Sequence, residues 1–113
     1  MTRIYKILPR SAWTQAQAAG VFEGSPVDLD DGYIHFSTAA QAQETARRHF
    51  VGQADLIVLE INVADLGEAV IWEPSRGGEL FPHLYGSLDP AKVRATHAAP
   101  LGPDNIPILE GLA

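Results

Sequence analysis

The sequence predicts an α+β domain on a mostly antiparallel, split or curled sheet. Three observations predict it. Both helical segments fall in the first half of the chain, and a run of strand candidates with short connections follows them. Strands and helices also lack the regular alternation that a doubly wound parallel sheet needs. At 113 residues the chain has room for one substantial core, so a single domain, 1–113, is expected.

The elements follow in order. Ile4 to Leu8 is a strand candidate that ends at Pro9, because a proline pushes the residue before it to extended geometry. Ser11 is the expected N-cap of a first helix running to about Ala19, with Gly20 as its stop. Gly24-Ser25-Pro26 and the Asp28, Asp30, Asp31 cluster predict a loop over residues 24–32. Tyr33 to Ser37 reads as a strand. Thr38-Ala39-Ala40-Gln41 has the capping-box spacing, so a second helix starts there and runs through Phe50, with Gly52 closing it. Leu56 to Val63 is the richest strand in β-branched and aliphatic residues. Ala69 to Glu73 is another, stopped by Pro74. Ser75-Arg76-Gly77-Gly78 is a turn, Phe81 to Tyr85 is extended up to Gly86, and Lys92 to Ala98 is a late edge strand. From Pro100 the tail is expected to wrap the surface.

Composition narrows the function classes. Hydrophobic residues make up 46%, an ordinary globular share that argues against disorder. The absence of cysteine removes disulfides, thiolate metal sites and a cysteine nucleophile together. Fourteen acidic against eight basic residues give a net charge of −6, which disfavours a nucleic-acid partner but not a small anionic ligand in a locally positive pocket. Residues 1–9 lack the apolar run of a signal peptide, and no segment approaches a membrane span. A soluble, cytoplasmic protein is expected.

Asp31 to Thr38 is the stretch richest in chemistry. Strand alternation places Tyr33, His35 and Ser37 on one face, with Ile34 and Phe36 on the core side. The polar face sits just before a helix N-terminus, whose free N–H groups suit an anion such as a phosphate. His83 keeps similar company, sharing a strand face with Phe81 and Tyr85. Two readings of these histidines stand side by side: ligand contacts, or partly buried rings satisfied by their neighbours. Glu73 is the candidate carboxylate, at a strand end before Pro74 and a glycine turn, with Glu79 as an alternative on the same loop. Its bland alternative is an exposed strand-end side chain. Lys6 and Tyr5 point to opposite faces of the first strand, so one of them can look into a given cleft.

Other chemistry finds no support. Histidines 35, 49, 83 and 97 match neither helical zinc-enzyme spacing nor zinc-finger spacing, so no metal is expected. His49 reads as a helix-dipole partner and His97 as solvated on an edge strand. The chain carries no phosphate-binding glycine loop and no Gly-x-Ser-x-Gly elbow.

Ile4-Tyr5-Lys6-Ile7 with Trp13, the Ile34-His35-Phe36-Ser37 run, and Trp72-Glu73 through Phe81-Pro82-His83-Leu84-Tyr85-Gly86 resemble the DUF952 family over nearly the whole chain. That resemblance implies a fold similar to the ADP-ribosyltransferases, a split, curled β-structure with helices. A second likeness, to NAD-using RNA 2′-phosphotransferases of that fold, rests on His35 and Ser37. It departs in the first strand, where Lys6 or Tyr5 stands in place of a histidine. Together the resemblances imply a small-molecule partner, NAD or a related nucleotide, bound between the two sheet halves. In that picture Glu73 holds ribose hydroxyls and stabilises positive charge. His35 and Ser37 bind ribose or phosphate, His83 and Tyr85 complete the wall, Lys6 adds a cation, and Tyr33 or Trp13 stacks on a ring. The rival expectation is a noncatalytic module that binds a small ligand without consuming it.

Overall fold

The computed structural model describes residues 2–112, the side chain of residue 76 excepted. It contains two three-stranded sheets, each antiparallel throughout. The first has the order β1 (Arg3–Pro9), β3 (Leu56–Asn62), β6 (Val93–Ala99). The second has the order β2 (Ile34–His35), β5 (Leu80–Leu84), β4 (Val70–Pro74). One bridge joins them: Tyr5 and Ser37 exchange backbone hydrogen bonds of 2.7 and 2.9 Å. The α+β expectation therefore holds, and the sheet is split as the element order implies.

Two apolar clusters flank the first sheet. Alternation along β1 and β3 sends Ile4, Leu8, Ile57, Leu59 and Ile61 to one side, where they meet Trp13, Phe22, Ile34, Val70 and Leu84. Tyr5, Ile7, Leu56 and Val58 face the other side, under Ala46 of α3 (Ala39–His49). Because β3 is central and buried on both faces, it runs apolar from Leu56 through Leu59 before reaching Glu60. No helix among the described residues is long and apolar enough to cross a membrane.

Four local expectations change. The first helix, α1, spans Arg10–Ala19 and is capped by Pro9 rather than Ser11, since an extended Pro9 already supplies the N-cap geometry. Gly20 ends it in the left-handed conformation, as read from the sequence. Residues 24–32 are not all loop: α2 spans Pro26–Asp31, with Pro26 at its first position and Gly32 as its left-handed C-cap. The strand expected over 33–37 pairs with β5 only at Ile34 and His35, because the chain then crosses to Tyr5 of the other sheet. His97 is also not simply solvated. Its Nε2 lies 2.7 Å from Glu60, a buried carboxylate on β3 that Arg3 and Arg94 also contact.

Candidate functional site

The second sheet builds the site by register. Antiparallel pairing sets His35 directly opposite His83 and Ile34 opposite Leu84. Directly opposed residues point to the same face, so Ile34 and Leu84 enter the core while both imidazoles face outward. On β4, Ile71 stands opposite His83 and Glu73 opposite Phe81, which places Glu73 on the imidazole face as well.

Four rings close over that face. Tyr33 stacks on His83 at 4.1 Å between centroids and 26° between planes. It also lies 4.7 Å from His35 and 5.2 Å from Tyr85, and the two imidazoles are 5.4 Å apart, edge to face. Glu73 clasps one side: its Oε1 accepts from His83 Nδ1 at 2.7 Å and from the Tyr85 hydroxyl at 2.8 Å. Those donors, His83 first, hold the Glu73 carboxyl below the usual range. The same hydrogen bond to Glu73 raises the Tyr85 hydroxyl. Partial burial, then the charges of Asp31 and Glu73, raise that of Tyr33.

A buried ion network holds the other side. Asp28, at the third position of α2, accepts from Lys6 Nζ at 2.8 and 3.1 Å. It accepts further from the Ser25 N–H at 2.7 Å, the His35 N–H at 3.1 Å and His35 Nδ1 at 2.6 Å. Burial alone would raise this carboxyl, but the His35 hydrogen bond and the Lys6 charge outweigh it and hold it at about 2. Burial lowers the Lys6 ammonium despite Asp28 beside it. His35 Nε2 meets Asp31 at 2.9 Å. Carboxylates only accept, so both contacts of this ring are satisfied together when both nitrogens carry a proton. Gly24 makes room for the network: a Cβ there would lie 2.8 Å from Asp28 Cβ, and its φ of +127° suits glycine alone.

The structure brings together Tyr33, His35, Glu73, His83 and Tyr85. It attaches Lys6 through Asp28 rather than through open contact, since Lys6 is only 6% exposed. Ser37 falls outside the cluster: its hydroxyl pairs with Thr45 at 3.0 Å and its backbone with Tyr5. Trp13 also falls outside, packed in the core. Glu79 is engaged by Gln41 at 2.9 Å. The helix end proposed for an anion is closed on itself, with Thr38 and Gln41 each bonding the other's backbone. No group of three or more acidic or histidine side chains suited to a metal occurs among the described residues. Asp28 and Asp31 join the site from the segment whose composition predicts a loop. The signal was the Ser25-Pro26-x-Asp28 spacing, a helix start with an acidic third position.

Solved structures resemble the chain closely. The crystal structure of protein CC0527 from Caulobacter crescentus is 51% identical, with a TM-score of 0.93 over 96% of this chain and 95% of that one. A crystal structure of a double mutant of that protein matches at 49% identity and a TM-score of 0.93, again over 96% and 95%. Its solution NMR structure matches at 51% and 0.85, over 95% and 92%. No curated protein matches. The sequence model of a family described as "Protein of unknown function (DUF952)" matches residues 7–96, and on that match the chain belongs to the DUF952 family.

Proposed function

We propose that the cluster on the second sheet binds NAD or a related nucleotide by its nicotinamide riboside end and cleaves the nicotinamide–ribose bond. The carrying observation is the Glu73 carboxylate, fixed by His83 and Tyr85 beside the ring of Tyr33. A fixed carboxylate can accept from ribose hydroxyls, and it stabilises the positive charge that grows on the sugar as the bond breaks. The electron pair of that bond leaves with the nicotinamide nitrogen, which turns a cationic ring neutral. The ribose carbon is then taken by water or another acceptor. Tyr33 and Tyr85 supply flat apolar faces for the ring. The split pair of antiparallel sheets supports an ADP-ribosyltransferase-like reading of the fold.

Calorimetric titration with NAD, alongside chromatographic measurement of released nicotinamide, tests this. The wild type binds and releases nicotinamide. Glu73→Gln still folds and binds but loses roughly 100-fold or more in rate, the scale typical of removing one preorganised electrostatic contact. A wild type that shows no heat of binding with either NAD or nicotinamide riboside ends the proposal. Saturable binding without any release identifies the noncatalytic module instead.

A further inference from the structure

We infer that this site selects its ligand by charge and prefers a phosphate-free, positively charged N-ribosyl pyridinium nucleoside over a phosphate-bearing mono- or dinucleotide. The inference rests on the nicotinamide-riboside reading above and names the substrate class within it.

At the exposed edge of the cluster stand two carboxylates, Asp31 at 45% side-chain exposure beside His35 Nε2, and Glu73 at 36%, held by His83 and Tyr85. The field of both reaches Tyr33, whose hydroxyl is raised by partial burial and then by these two charges. An aromatic face next to carboxylates attracts a flat cation twice, through the ring quadrupole and through direct charge. A phosphate has the reverse experience. It is best held by a Lys or an Arg, and the described lysine and arginine side chains are paired elsewhere.

Lys6 is buried on Asp28, Arg3 and Arg94 contact Glu60, and Arg10 pairs with Asp55. Arg47 and Arg48 share Glu44, and Lys92 donates to the Asp65 carbonyl. Seven of the eight basic residues are thereby accounted for, and Arg76 is the eighth. The imidazoles are no better placed. His35 meets carboxylates with both nitrogens, and the His83 side chain is 4% exposed beneath Tyr33, with Nδ1 on Glu73. At the start of α3 the Thr38 and Gln41 N–H groups are taken by its own capping box. Lys6, buried beside the cluster, is neutralised by Asp28.

Three probes that share one ring separate the charge classes: nicotinamide riboside, nicotinamide mononucleotide and NAD. Each is titrated calorimetrically at low and at physiological ionic strength. The cationic nucleoside is expected to bind about tenfold or more tightly than either phosphate-bearing probe, and salt should weaken it. Asp31→Asn narrows that gap. The pyridinium cation 1-methylnicotinamide should likewise outbind neutral nicotinamide. Equal or tighter binding of the mononucleotide or NAD overturns this inference while leaving the nicotinamide-riboside reading intact. A gap unchanged in Asp31→Asn also overturns it. If none of the three probes binds, both fall together.

Discussion

Asp28 is the residue on which the site's geometry depends most. Its two oxygens accept from Lys6, from the Ser25 and His35 backbones and from the His35 ring, and it is 2% exposed. Removing one partner of a buried ion pair strands the other charge away from water. Asp28→Ala is therefore expected to lower unfolding stability by roughly 3–5 kcal/mol, read from urea denaturation. The pH dependence follows from its depressed pKa. Between the ordinary aspartate range and about 2 the unfolded chain binds this proton and the folded chain does not, so stability rises with pH there. The contribution of Asp28 is complete above the usual aspartate range and is lost as acid approaches pH 2. Acid unfolding of the wild type, compared with Asp28→Asn, should show that share missing from the variant. A variant that follows the wild-type acid curve would remove Asp28 from this role.

At the scale of elements, the two helix starts work differently. α3 opens on a reciprocal capping box, with Gln41 N–H on the Thr38 hydroxyl at 3.3 Å and Thr38 N–H on Gln41 Oε1 at 3.0 Å. Gln41 also reaches Glu79 and the Leu80 carbonyl at 2.9 and 2.8 Å, so the same cap ties α3 to the turn before β5. Thr38→Ala should cost about 1 kcal/mol, measured by thermal or chemical unfolding. Capping boxes are written in four adjacent residues, which is why this helix was legible in the sequence. α2 was not, because Gly24, Pro26 and three aspartates imitate a loop. In the folded chain Pro26 takes the first helical position, where its missing N–H costs nothing, and Asp28 faces inward to Lys6.

The whole molecule is a pair of sheets meeting at one seam, and the site lies on the outer face of the smaller sheet. The inner face shares its core with the larger one: Ile34 and Leu84 pack in the same cluster as Ile4 and Leu59. Leu59 is fully buried on the central strand. Leu59→Ala should cost about 2–5 kcal/mol and lower the denaturation midpoint with the slope unchanged, since one cavity does not alter how much surface unfolding exposes. A change in slope would mean instead that the two sheets no longer unfold as one unit.

By itself the sequence determined the α+β class, the types of the elements other than α2, and which side chains of each strand share a face. Periodicity, prolines and caps act between neighbours a few residues apart, and that information is local. Only the tertiary structure decided where side chains found partners across long separations. Lys6 went to an aspartate 22 residues away instead of an open cleft, and Glu60 gathered His97, 37 residues on. Ser37 turned to Thr45 where the chain changed sheets, and Trp13 entered the core. Those outcomes depend on which surfaces remain to be buried once the strands have paired. Packing settles that competition, and no run of adjacent residues encodes it.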